Sequence, residues 1–209
     1  MCTQSYSYAQ IDALQQKGTA MKILCIGDSN TYGYDPGYCF GGRYPARIRW
    51  TDRLAGHTVI NSGLNGMSVP PAATDFVGLI KSTAPDLVTV MLGVNDLLQG
   101  ADADRTASRM EAFLTELKEA SAPVKARVLL IAPPPVQHGE WVTSSRIIEE
   151  SKKLAKLYRS VAQHTGVCFA DAGAWNIALT YDGVHFSEAG HASFARGLEH
   201  ALNQIEASL

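Results

Sequence analysis

The segment "MKILCIGDSNTYG", residues 21–33, holds the first long apolar run of the chain and closes it on three polar residues. Ile23, Leu24, Cys25 and Ile26 follow one another without the polar alternation of a half-exposed strand. A continuous run this short, closed by glycine, reads as a strand buried on both faces. Asp28, Ser29 and Asn30 come before the chain has room to turn far, so a buried strand delivers a serine at its end.

The same pattern recurs along the chain. "HTVINSG" (57–63), "DLVTVMLG" (86–93), "ARVLLIAP" (126–133) and "GVCFAD" (166–171) read as four more buried strands. Helices are expected over 45–55, 70–82, 104–120, 145–164 and about 187–205. The third carries Met110, Phe113, Leu114 and Leu117 on one stripe. The last opens with Ser187 as N-cap and Glu188 in its first turn. Strict alternation of strand and helix predicts an α/β fold, a three-layer α/β/α sandwich around a parallel sheet. Functional side chains of such a sheet gather at the carboxyl ends of its strands.

Composition narrows the function. Apolar residues make up 46% of the 209, enough for one sizeable core. A net charge of -2 offers no basic face for nucleic acid. No lysine-rich amphipathic segment points to a membrane surface, and no apolar run reaches the roughly 20 residues that span a bilayer. The four cysteines include no C-x-x-C pair, and Cys25 and Cys168 lie in apolar runs as small core residues. This suits a reducing compartment, and a cytoplasmic protein is expected. Residues 1–20 are polar and interrupted and read as an N-terminal appendage, leaving 21–209 as the folded domain.

Four strand-end segments hold the reactive side chains: "GDSN" (27–30), "NSGLNG" (61–66), "GVND" (93–96) and "YDGVHF" (181–186). Each alone is an ordinary turn or helix cap. Together they meet the demands of acyl transfer. A serine hydroxyl needs a base within hydrogen-bond reach, usually a histidine oriented by a carboxylate. Asp182 and His185 stand three residues apart in one loop, at the sheet edge where Ser29 emerges. Donors for a developing oxyanion are offered by the Ser29 N–H, the Gly63 N–H and the Asn95 side-chain amide. Glycine at 63 permits close approach of backbone to substrate.

In this order the four segments resemble the blocks of the SGNH (GDSL-type) hydrolase family, with Ser29, Gly63, Asn95 and His185 at its four named positions and Asp182 in its D-x-x-H. The resemblance covers most of the chain from residue 21. It implies a flavodoxin-like five-stranded sheet of order 2-1-3-4-5, and ester hydrolysis with neither metal nor organic cofactor. A homo-oligomer is consistent with the family. Segment 30–54 looks like the branch of aryl esterases, small-acyl transferases and carbohydrate acetylesterases; Tyr32, Tyr34, Arg43 and Trp50 are its notable members. Asn30 stands where the family name carries leucine, and Asn30, Tyr32, Arg43 and Trp141 form the candidate substrate pocket. For Tyr32 and Arg43 a loop-packing role, with Arg43 in a salt bridge, stands beside the pocket role. Trp141 lies in the 132–145 loop, which its prolines keep from being helical. It walls the cleft or makes an oligomer contact.

Asp28 is read as holding its turn by hydrogen bonds, Asp171 as an N-cap or turn residue, and His191 as helix packing or capping. A nucleotide site is disfavoured: no G-x-G-x-x-G follows the first strand and no G-K-[ST] occurs. A metallophosphoesterase needs more His and Asp ligands at strand ends. A non-catalytic binding module on this fold would show a broken Ser–His pair, and both members are intact. The expected substrate is a small ester of a short acyl group, acetyl to butyryl, because little chain is left to build a lid. Transfer of the acyl group to an alcohol other than water is the alternative reaction.

Overall fold

Side chains alternate across the sheet, and that alternation sorts the apolar runs into two cores. Leu24, Ile26, Val88, Val90, Val128 and Leu130 face one way and pack on Phe76, Phe113, Leu154 and Tyr158. Ile23, Cys25, Leu87, Met91, Leu129 and Ile131 face the other and pack on Trp50, Phe194, Leu198 and Leu202. With period 2 and both faces covered, strand residues 23–27, 87–91 and 128–132 are buried and apolar save Thr89, whereas the outer runs 58–63 and 168–171, read as buried, are mostly only half-buried at the sheet edges. Burial pushes the Cys25 thiol up to about 12, so it behaves as a small core residue.

The structure is a computed structural model that describes residues 20–38 and 42–207. The appendage expected over 1–20, Ala20 apart, lies outside the described residues. The chain runs β1 (Lys22–Gly27), α1 (Ser29–Tyr32), β2 (Tyr34–Asp35), β3 (Gly42–Arg43), β4 (Thr58–Gly63), α2 (Thr74–Thr83), β5 (Leu87–Met91) and α3 (Val94–Leu98). It continues through α4 (Ala103–Ser121), β6 (Arg127–Ala132), α5 (Ser145–Thr165), β7 (Cys168–Asp171) and α6 (Glu188–Ala207). The five long strands form one parallel sheet of order β4-β1-β5-β6-β7. This is the expected 2-1-3-4-5 arrangement and the expected α/β sandwich. The order reverses at β1, between β4 and β5, and such a switch point opens a crevice at the carboxyl ends of the strands.

The α4 stripe packs as its spacing dictates, with Met110, Phe113, Leu114 and Leu117 all buried. The Asp102 carboxylate caps that helix by accepting the Arg105 N–H at 2.7 Å. Ser187 caps α6 by accepting the Gly190 N–H at 3.1 Å. The helix expected over 45–55 is absent; only a single 3₁₀ turn, Trp50–Asp52, occurs there. Trp50 donates its backbone N–H to His191 Nδ1 at 3.4 Å and its indole N–H to the Asn30 carbonyl at 2.9 Å. A tertiary partner thus claims a backbone N–H that a helix would have used, and the indole bond fixes the ring beside it.

Candidate active site

Ser29 opens α1 directly after β1. Asp28 precedes it as N-cap and accepts the Asn30 N–H at 2.9 Å, the turn-holding role read from sequence. Burial pushes the Asp28 carboxyl up to about 6, against the opposing pull of the Asn30 N–H and His185. As the first residue of a helix, Ser29 has no carbonyl one turn back for its own N–H. Its side chain is 6% exposed.

His185 Nε2 lies 2.9 Å from Ser29 Oγ, and His185 Nδ1 lies 2.6 Å from Asp182 Oδ2. With Nδ1–H donated to the carboxylate, Nε2 carries the lone pair that faces the hydroxyl. Asp182 Oδ1 is the hub of the loop: it accepts the Val184 N–H (2.8 Å), the His185 N–H (2.9 Å) and the Thr180 hydroxyl (2.8 Å). Burial alone would raise the Asp182 pKa. The ring N–H of His185 and the backbone N–H groups of His185 and Val184 outweigh it and hold the carboxyl well below the usual carboxylate range. Asp182 is 0% and His185 2% exposed, so this line of hydrogen bonds runs in a low-dielectric interior.

Two aromatic rings flank the imidazole. Tyr34 stands 4.6 Å from it between centroids, and Trp141 4.9 Å away, edge to face. The 132–145 loop reaches this position by pairing with the His185 loop: Gln137, Glu140 and Trp141 donate backbone N–H groups to the carbonyls of Gly183, Tyr181 and Asp182. Trp141 is 52% exposed, at the rim. Tyr34, notable in the 30–54 segment, reaches the imidazole by tertiary contact, whereas Thr180, which sequence reasoning missed, lies two residues before Asp182 and bonds it locally.

The remaining expected residues divide. Asn95 sits in the short helix α3 after β5 and donates its amide to the Met67 carbonyl at 3.1 Å. One of its two N–H bonds is thereby left for another acceptor. Gly63 ends β4, but its N–H is donated to Asn61 Oδ1 at 2.9 Å. The close approach that needs glycine there is to α1, since a Cβ would stand 2.2 Å from the Tyr32 nitrogen. The oxyanion role expected of Gly63 is therefore corrected to a packing role. The next glycine lies in a turn closed by the Met67 N–H on the Leu64 carbonyl, with Gly66 at its third position and φ of +75°. Leu64 donates to the Gly27 carbonyl and Asn95 holds Met67, so this turn is strung between the end of β1 and α3.

Asn30 does not face a pocket: both ends of its amide are bonded to the His185 loop. Arg43 caps Tyr32 rather than a carboxylate, with Nε on the Tyr32 carbonyl at 2.7 Å and the guanidinium 4.4 Å from its ring centroid. Asp171 accepts the Gly173 N–H and caps the 3₁₀ turn after β7, the structural role read for it. His191 is buried between Tyr44 and Phe186, and burial lowers its pKa to about 4.

Residues 25–193 match the sequence profile of the GDSL-like lipase/acylhydrolase family. The chain is 26% identical over 205 residues to an acetylxylan esterase of Geobacillus stearothermophilus, covering 86% of this chain and 92% of that protein. The fold superposes on an aryl esterase of M. smegmatis with TM-score 0.77 and 26% identity, over 91% of this chain and 100% of that one. It superposes equally on a carbohydrate acetylesterase family member from Sinorhizobium meliloti, with TM-score 0.77 and 27% identity, over 90% and 99%. Among the described residues no helix is long and apolar enough to cross a membrane. The chain belongs to the GDSL-like lipase/acylhydrolase family and is a serine ester hydrolase.

Proposed function

We propose that the enzyme hydrolyses esters of short acyl groups, acetyl to butyryl, through an acyl-enzyme on Ser29. The observation that carries this reading is the unbroken line from Asp182 through His185 to the Ser29 hydroxyl. His185 Nε2 removes the hydroxyl proton as Oγ bonds to the ester carbonyl carbon, and the carbonyl electrons move onto oxygen. Asp182, held ionised, keeps the imidazole in the right tautomer and stabilises the imidazolium. The Ser29 N–H and the second N–H of Asn95 receive the oxyanion, and we assign the third donor to the exposed turn at Gly66 in place of Gly63. The C–O bond to the leaving alcohol then breaks, and His185 protonates that oxygen. Water repeats the sequence on the acyl-enzyme; another alcohol in its place would give acyl transfer.

The leaving oxygen must come within reach of Nε2, so the alcohol half borders the rings that flank the imidazole, Tyr34 and Trp141. Aromatic faces of this kind suit a ring-bearing alcohol, aryl or sugar. The names of the relatives point the same way, and the acetylesterases among them favour a short acyl group.

An ester panel tests this, with acyl length and alcohol varied separately. Turnover should be fastest for acetyl to butyryl esters of phenols or sugars and should vanish in Ser29→Ala. Wild-type turnover of p-nitrophenyl acetate by Ser29→Ala, or faster turnover of palmitoyl than acetyl esters, contradicts the reading.

A further inference from the structure

The residue after Ser29 sends its side chain away from the cleft and into the protein. Asn30 is 5% exposed. Its Oδ1 accepts the Phe186 N–H at 2.8 Å, and its Nδ2 donates to the Val184 carbonyl at 3.2 Å. Those two backbone groups flank His185 in the chain. A side-chain amide carries the same donor and acceptor as a peptide group, so Asn30 pairs with this one residue as a neighbouring strand would. Its own backbone is fixed as well: the N–H goes to Asp28, and the carbonyl accepts the Trp50 indole N–H. From the far side the His185 carbonyl accepts the Thr180 N–H at 2.7 Å.

We propose that Asn30 is a positioning residue that sets the separation between Ser29 Oγ and His185 Nε2. The inference rests on the assignment of Ser29 and His185 as nucleophile and base. Asn30 acts through the backbone of Val184 and Phe186, locking the turn that carries the hydroxyl to the loop that carries the imidazole. An apolar residue here leaves a buried N–H and a buried carbonyl without partners. The loop then relaxes by the fraction of an ångström that proton transfer between the two side chains does not tolerate.

The chemistry of the pair suggests a sharper test than truncation. A carboxylate at this position still accepts from Phe186 but sets its second oxygen against the Val184 carbonyl. Once protonated, it offers a donor there again and restores the two-point bond. Burial moves the ionisation of an introduced carboxyl upward, toward neutral pH. Asp28, Asp182, His185 and His191, the last packed on Phe186 and bonded to Trp50, are common to all variants, so the ratio of variant to wild-type kcat reports the introduced group together with its coupling to them.

The experiment measures kcat and KM for p-nitrophenyl acetate across pH in wild type, Asn30→Leu, Asn30→Asp and Ser29→Ala. Asn30→Leu should lose about 10–100-fold in kcat, with a smaller change in KM. The ratio of Asn30→Asp to wild-type kcat should be high in acid and fall toward the Asn30→Leu level as pH rises. Wild-type kcat in Asn30→Leu overturns the proposal, and so does a ratio for Asn30→Asp that does not change with pH. If Asn30→Leu does not fold, the Asn30→Asp ratio decides alone. Turnover persisting in Ser29→Ala overturns the underlying assignment instead. An inactive Ser29→Ala beside unperturbed Asn30 variants overturns the positioning role only.

Discussion

Two loops at the carboxyl end of the sheet are built in opposite ways. In the His185 loop, residues 182–186 are all buried, and Asp182, Asn30 and the 132–145 loop bond it on several sides. The loop after β4 is anchored at its ends, by Leu64 on Gly27, Met67 on Asn95 and Val69 on the buried Asp96 carboxylate. Between those anchors residues 64–66 are exposed. Under the proposed mechanism the difference follows from what each side handles. Moving a proton between two protein groups demands a fixed separation, so the protein supplies every partner itself. Receiving the oxygen of an incoming ester demands open donors, so the protein leaves that surface uncovered.

If this contrast is right, damage to the buried loop costs more than damage to the open one. Asp182→Asn keeps an acceptor for the loop N–H groups but loses the carboxylate facing Nδ1, and should lower kcat about 10⁴-fold by analogy with other Ser–His–Asp sites. A loss under tenfold, with the folded fraction checked by thermal melting, would remove Asp182 from the mechanism. Asn95→Ala deletes the proposed oxyanion donor and an anchor of the open loop, and should cost about 10²–10³ in kcat. The two glycines of that loop separate packing from catalysis. Gly63→Ala drives a Cβ into the α1 backbone and should lower stability by about 3 kcal/mol. Gly66→Ala has open space, bears only the strain of its positive φ at about 1 kcal/mol, and should keep kcat within tenfold. Equal destabilisation by the two changes would contradict the packing role assigned to Gly63.

A separate expected effect concerns pH. His191 is held neutral by burial, with the charges of Arg49, Arg53 and His185 acting in the same direction. Its folded pKa of about 4 lies below the ordinary 6.5, so the unfolded chain takes up the proton first as pH falls. Stability is complete above pH 6.5 and declines toward pH 4, by roughly 3 kcal/mol across the window. His191→Phe keeps a ring between Tyr44 and Phe186 and removes this titration. Its melting temperature relative to wild type should therefore rise on going from pH 7 to pH 5; a difference independent of pH rules the titration out.

Most of the sheet was legible because a strand buried on both faces leaves a continuous apolar run, and β1 and β6 fall within the runs read for them. The meeting of Ser29, Asp182 and His185 was legible because strand order brings strand ends to one edge. What sequence missed was set by tertiary partners. The helix expected over 45–55 fails because the Trp50 backbone N–H goes to His191 instead of a carbonyl one turn back. Gly63 was misread because glycine signals close approach without saying to what: here it is Tyr32. Asn30 looked like a specificity residue because it follows the serine, and nothing local reveals a partner more than 150 positions away.

Ser29 is proposed to carry the acyl group. Rapid quenching of wild type with p-nitrophenyl acetate, followed by digestion and mass spectrometry, reads this directly. One acetyl group should accumulate on the peptide containing Ser29 in wild type and be absent from His185→Ala. Rapid turnover with acetyl found on another residue, and none on Ser29, would contradict it.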